Sequence, residues 1–267
     1  MIVGLGILSF VVLLGLIGPL FVDPRAAHVG AVIPKLPPSA GHLLGTDAQG
    51  RDMLTLMVLG TPQTLKMGLF AGIVGIGIGL VLGLLAGYFG GLVDRTINII
   101  SDTLMTVPGL AVLVIIAANV DRMTVEIMSL VVAALAWMYP TRMIRAQVLS
   151  IRERPYIEVA RVNGESELEI LFREVLPNLL PFIAASFVGA VSAAMLAAVG
   201  LEALGLGALE QDTLGTTIYW AQQSAAVLRG FWWWWGPPIV MIGLIFVALF
   251  LTSLGIDRIA NPKTAQS

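Results

Sequence analysis

Apolar residues in this chain fall in blocks too long and too uncharged for the core of a water-soluble domain, with polar residues confined to the gaps. Ile2 to Val22 carries no charge except by its neighbours, and about 20 apolar residues suffice to cross the hydrocarbon of a bilayer. Comparable blocks follow at 65–88, 93–118, 125–149, 179–201 and 237–256. The pattern predicts an all-α integral membrane protein with six transmembrane helices, one membrane domain covering 1–267. The first block is read as a span and not a cleaved leader, since no basic segment precedes it and no small-x-small site follows.

The gaps have their own patterns. The long loop 23–64 holds both histidines, His28 and His42, too irregularly spaced with Asp23 and Asp47 to predict a metal site. Within it Gly45-Thr46-Asp47 reads as a turn. Asp52 can cap an amphipathic helix whose Met53, Leu54, Leu56 and Met57 suit the membrane interface. In the segment 150–178, Pro155 suits a helix start, Asn163-Gly164 a stop and Ser166 a second cap. Leu176-Pro177 is expected to end that second short helix before the next span. Four consecutive tryptophans, Trp232 to Trp235, precede the sixth span, where an aromatic belt is the simple reading and a sugar-stacking platform the sharper one.

Inside the spans, three features stand out. Gly75, Gly79, Gly83 and Gly87 recur every four residues, with Gly68 and Gly72 at the same interval before them. Such a ridge lets helices approach closely in lipid, as fixed packing or as a sliding surface. Arg95, Asn98 and Asp102 share one face of the third span, with Ser101 and Met105 beside them and a kink expected at Pro108-Gly109. An Asp that deep must face protein or a water-filled path, either lining that path or locked to Arg95. The fifth span is slim, rich in Ala, Ser and Gly and including Ser186 and Ser192, as suits a helix lining a path.

Composition and charge narrow the class. The 267 residues are 57% hydrophobic and 12% charged, against roughly 25% charged in soluble domains. A net charge of −2 offers no footprint for nucleic acid, and the absence of Cys removes disulfides and thiolate metal sites. Charge is instead concentrated locally. Arg142, Arg145, Arg152, Arg154, Arg161 and Arg173 are six of the fifteen basic residues, interleaved with Glu153, Glu158, Glu165, Glu167, Glu169 and Glu174. Placing this segment in the cytoplasm, with both termini and with Arg95, Arg258 and Lys263, puts nine basic residues inside against six outside. No phosphate-cradling G-x-x-x-x-G-K-[ST] occurs and no nucleophile–base constellation, so the chain itself is expected to be neither an ATPase nor another enzyme, and to hold no cofactor. An ion-coupled secondary transporter using Asp102 and Glu202 is the rival class, although such proteins usually show paired repeats and more intramembrane charge.

The charged segment carries a resemblance. Glu158-x-Ala160, Gly164 six residues after the Glu, and Leu176-Pro177 twelve after the Gly resemble the EAA signature of bacterial ABC importer permeases. The segments His42 to Asp52, Ala86 to Gly91 and Leu204 to Gly207 are similar to the second permease subunit of the dipeptide/oligopeptide/nickel family, in the right order. Val159, where Ala is usual, and Asn163 before the Gly are mild departures. The resemblance implies a coupling helix in the loop between spans four and five, docked on a separate ATPase subunit through Tyr156, Ile157, Glu158, Ala160, Arg161, Asn163 and Gly164. It further implies a homologous second permease, two ATPase subunits that hold ATP and Mg, and an extracellular solute-binding protein. The setting would be a bacterial or archaeal cytoplasmic membrane. Asn98, Asp102, Met105, Ser186, Ser192 and Glu202 are the expected path residues. Short peptides are the cargo implied. Oligosaccharides are the alternative, because peptide-transporting members carry a Glu where Ala198 stands and Ser-Trp-Gly where Thr213-Leu214-Gly215 stands.

Overall fold

The computed structural model describes residues 1–260. These are helices and turns, with no strand among the described residues and a single isolated bridge between Thr46 and Asp52. Helix α1 (Ile2–Ile17) is followed by a long loop, then α2 (Met53–Phe89), α3 (Gly91–Thr106), α4 (Gly109–Ala118), α5 (Val125–Ala136) and α6 (Met138–Arg152). Next come α7 (Pro155–Val162), α8 (Glu167–Ile170), α9 (Leu176–Ala203), α10 (Leu214–Gln223) and α11 (Trp232–Ala260). Five stretches are long and apolar enough to span a bilayer: Ile2–Leu20, Met53–Phe89, Val125–Arg152, Glu167–Ala203 and Trp232–Ile256. The third expected span is the pair α3 and α4, bent by 78°. Pro108 cannot donate a backbone hydrogen bond and forces Val107 into an extended conformation, so the kink expected there becomes a corner. Arg258 lies in the last turn of α11, and Lys263 lies outside the described residues.

Two boundaries differ from expectation. The helix beginning at Met53 does not lie along the membrane interface but runs unbroken into the second span, 37 residues in all. At 1.5 Å per residue that is about 55 Å, well beyond the roughly 30 Å hydrocarbon core. Its first turns therefore stand clear of the bilayer, where α10 and α11 cover Met53, Leu56 and Met57. Asp52 caps it as expected, accepting from Thr55 N at 2.9 Å. Likewise Leu176-Pro177 does not end the helix from Glu167. A π-helical stretch, Leu171–Val175, leads directly into α9. Its wider turn relieves the clash between the Pro177 ring and the carbonyl four residues earlier.

Helix α2 is the axis of the bundle, and its glycines set the distances. Gly68 and Gly72 sit against Met195 and Val191 of α9. Gly75 faces Ala136, Gly79 faces Pro140 and Thr141, Gly83 faces Ile144 and Gly87 faces Val148. The ridge is thus divided between α9 and the α5–α6 span, within this chain. Pro140 has no N–H for the Ala136 carbonyl, and Gly75 brings the α2 backbone against that carbonyl.

A Cβ at Gly79 would come within 2.6 Å of Pro140 Cβ, whereas one at Gly77 would meet nothing within 4 Å. Gly79→Leu is therefore expected to cost about 1–3 kcal/mol by overpacking, and Gly77→Leu close to nothing. Thermal unfolding of the two variants in detergent checks this. Equal stabilities would refute the packing role of the ridge.

Candidate functional site

Outside the plain apolar packing lie the loop at the charged end, the ion pairs between α3 and α6, the cavity in the bundle, and the covered surface at the opposite end.

At the charged end, α7 hangs from the ends of α2, α6 and α9. Ile157 and Ala160 are buried in a cluster with Leu84, Tyr88, Ile144, Val148, Ile170 and Leu179. Three-residue spacing puts these two on one helix face, so of the expected contact set they anchor the loop from beneath. Tyr156, Glu158, Arg161, Asn163 and Gly164 are exposed, together with Val159 and Val162. Gly164 has φ +84 and ends the helix in the left-handed region; Glu165 N then reaches back to Ala160 O at 3.2 Å. Ser166 and Glu169 form a reciprocal capping box at the start of α8. Polar links join the loop to the spans: Tyr88 Oη donates to Glu167, Arg161 lies 3.7 Å from the same carboxylate, and Arg152 Nη1 donates to the Tyr88 carbonyl at 3.1 Å.

One level further into the bundle, Arg145 holds Asp94 through two bonds, Nη2 to Oδ2 at 2.7 Å and Nε to Oδ1. Asn98 donates to the Asp94 carbonyl at 2.8 Å and so belongs to this cluster. Asp102 does not lock to Arg95; its partner is Arg142, 3.8 Å away. Arg142 and Arg145 are thus both drawn to acids on α3. The charge pattern had shown the arginines, but which acid each meets depends on how α3 and α6 cross.

Between α4, α6 and α9 lies a cavity of about 580 Å³. Its wall includes Gly109 and Leu110 of α4, Tyr139, Pro140 and Met143 of α6, and Ser186, Gly189, Ala190 and Ala193 of α9. The small residues of α9 create this space, as the slim face suggested. Ser186 lines it, while the Ser192 hydroxyl turns back to Val188 O at 2.9 Å. Met105 is exposed on α3 and stands outside that wall. Glu202 departs most from expectation. It is fully buried, its Oε1 accepts from Thr213 Oγ1 at 2.8 Å, and a Cβ at Gly207 or Gly215 would overlap it. This carboxylate ties the end of α9 to the start of α10 and does not reach the cavity. Sequence reasoning missed Tyr139, Met143 and Leu110, whose pattern is that of any apolar helix.

At the opposite end, the loop folds back under the tryptophans. Trp234 is buried, and Trp234 Nε1 donates to Thr46 O at 2.6 Å, with Trp233 Nε1 on the same carbonyl at 3.3 Å. Thr46 Oγ1 donates to Ile33 O and accepts from Leu36 N. Asp47 accepts from Gln49 N and Arg51 N and pairs with the Arg51 guanidinium, while His42 Nδ1 meets Asp52 at 2.7 Å. Burial pushes the Asp212 carboxyl up, against the pull of Arg51 3.6 Å away. His42 thus serves loop structure, and no metal-binding cluster forms among the described residues. The tryptophans are neither a simple belt nor an open platform: Trp232 is exposed, but the indoles of Trp233 and Trp234 are committed to the loop.

A broken third span, a helical loop between the fourth and fifth and a small-residue cavity wall are features of a transport permease. Residues 79–266 match the family described as "Binding-protein-dependent transport system inner membrane component", and the chain belongs to it. It is a permease of an ABC importer. The oligopeptide transport system permease protein OppC of Mycobacterium tuberculosis is 33% identical over 230 residues, 85% of this chain and 78% of that protein. The glutathione transport system permease protein GsiD of Pectobacterium atrosepticum is 37% identical over 175 residues, 64% of this chain and 56% of that one. A solved structure of the methionine ABC transporter MetNI in inward-facing conformations aligns with TM-score 0.62 at 20% identity, over 79% of this chain and 97% of that one. Likeness at that identity speaks for the fold alone.

The aromatic assignment has a direct check. Trp234→Ala is expected to cost about 3–5 kcal/mol and to loosen the loop around Thr46, while Trp232→Ala, at 55% exposure, costs under about 1 kcal/mol. Proteolysis of the loop in the two variants, with unfolding midpoints, reads both effects; equal sensitivity would contradict the assignment.

Proposed function

We propose that this permease moves short peptides across a cytoplasmic membrane, coupled to separate ATPase subunits through the α7 loop. Its charged end faces the cytoplasm, with both termini, and the Trp-covered loop faces outward toward a solute-binding protein. Two ATPase subunits supply ATP and Mg, and a homologous permease completes the path. Relatives named for oligopeptide and dipeptide transport support the cargo. The oligosaccharide alternative rested on Ala198, on Thr213-Leu214-Gly215 and on the Trp cluster, and of that cluster the loop already uses the indoles of Trp233 and Trp234.

The observation that carries the coupling role is the exposed face of α7. Tyr156, Glu158, Val159, Arg161 and Val162 present an apolar and charged surface on a rigid helix anchored by Ile157 and Ala160. Val162 is 82% exposed, in a position that no span of this chain covers. A force on that face reaches α2 and α9 through the Ile157 cluster and the Tyr88–Glu167 bond. The cavity opens at the flank of α4 and α9, and a second subunit facing it would enclose a path wide enough for a peptide. That arrangement fits a wall of small residues, which lets two bundles come close.

Gly164 provides the test, since a Cβ there would meet no atom within 4 Å and only the backbone conformation is at stake. A β-branched residue is strained at φ +84, whereas Asn tolerates the left-handed region. In proteoliposomes holding the complete complex, Gly164→Val is expected to lower ATP-driven peptide uptake at least about tenfold, by misplacing the loop. Gly164→Asn should retain most of it. Normal uptake by the Val variant would refute the coupling role of this loop.

A further inference from the structure

Asp102 and Arg142 lie far from the ends of their helices. Asp102 is eleven residues beyond the start of α3 at Gly91, and Arg142 ten residues before the end of α6 at Arg152. At 1.5 Å per residue both stand about 15 Å or more along their helices from the charged end. Their side chains are nonetheless 58% and 63% exposed on this chain. Charges at that depth are strongly disfavoured against lipid, so this surface faces water or protein.

The pair also differs from its neighbour. Arg145 closes on Asp94 with two hydrogen bonds and holds α3 against α6. Asp102 and Arg142 approach only to 3.8 Å, too far for a hydrogen bond, which leaves guanidinium donors and carboxylate lone pairs free. Arg142 is three residues beyond Tyr139 and adjacent to Met143, two residues of the cavity wall. That wall contains no Asp, Glu, Lys or Arg. Arg142 therefore stands on the same helix as the wall of an uncharged cavity, about one turn from Tyr139 toward the charged end, and holds Asp102 3.8 Å away.

We propose that Asp102 and Arg142 form a specificity-determining pair for zwitterionic cargo: Arg142 takes the carboxylate end and Asp102 the ammonium end as both leave the cavity. This rests on the reading of the cavity as part of a peptide path. An apolar cavity offers nothing to replace the water lost by two opposite charges. A loosely held ion pair does, because it can exchange its own contact for contacts with the cargo. Exchange of one pair for another leaves little net binding, and a path must release what it holds.

The test uses the assembled complex with its binding protein in proteoliposomes, and trialanine, its N-acetyl form and its C-terminal amide as probes. Arg142→Gln is expected to lower uptake of trialanine about tenfold relative to wild type and that of the amide less than about twofold, the scale of one hydrogen bond to a charged group. Asp102→Asn should do the same for the free amine against the N-acetyl form. The chain has no cysteine, so single cysteines give a second readout that does not depend on delivery of capped peptides. At Asp102→Cys, beside the remaining Arg142, an anionic methanethiosulfonate should react faster than a cationic one; at Arg142→Cys the order should reverse. Loss of uptake by the same factor for all probes, normal trialanine uptake in Arg142→Gln, or cysteines unreactive at both positions overturns the proposal. If the wild-type complex takes up none of the three probes, the peptide reading itself fails and the pair's role falls with it.

Discussion

The close approach of the α2 backbone to its neighbours is the contact on which the rest of this structure depends. In lipid there is no hydrophobic drive to press two apolar helices together, so dispersion at short range must do it. The glycines from Gly68 to Gly87 make that range available on a single helix, first toward α9 and then toward α5 and α6. Because α2 is longer than a bilayer is thick, the same helix also serves a second environment. Its outer turns exchange lipid for a covering of α10, α11 and the loop beneath the tryptophans. One rigid element thereby connects the Trp-covered surface with the Tyr88 cluster that anchors α7.

Charge is distributed in this bundle according to what each pair is free to do. Arg145 and Asp94 are closed on each other, and Glu202 is enclosed by glycines and Thr213, so these groups hold helices in place. The Tyr88–Glu167 bond and Arg161 join a loop to the spans. Asp102 and Arg142 face outward from the same crossing with their hydrogen-bonding capacity unspent. A membrane makes every ionisable side chain costly, which is why each of them has a partner or a wet surface.

Much of the architecture was legible along the chain. Apolar blocks of spanning length, the proline that turns the third span, the Asp52 and Ser166 caps and the left-handed turn at Gly164 are local properties, decided within a few residues. The slim face of the fifth span foretold a space beside it, and Ser186 lines that space. The family itself was visible in the spacing from Glu158 to Pro177, because that spacing is set by α7, its turn and the short helix that continues into α9.

What the tertiary structure alone decided are the pairings and the continuations. Whether Asp102 meets Arg95 on its own helix or Arg142 on another depends on the crossing of α3 and α6, and no local pattern encodes a crossing. Glu202 reads as a path residue until α10 folds over it, and Trp234 as a belt residue until Thr46 arrives from almost two hundred positions away. Breaks expected before the second and fifth spans were absent because burial outside the bilayer, and one widened turn, let the helices continue. The sequence by itself determined where helices form and which segments stay in water, through propensity and transfer energy. Which polar groups meet was decided by packing, since partners distant along the chain are chosen by shape.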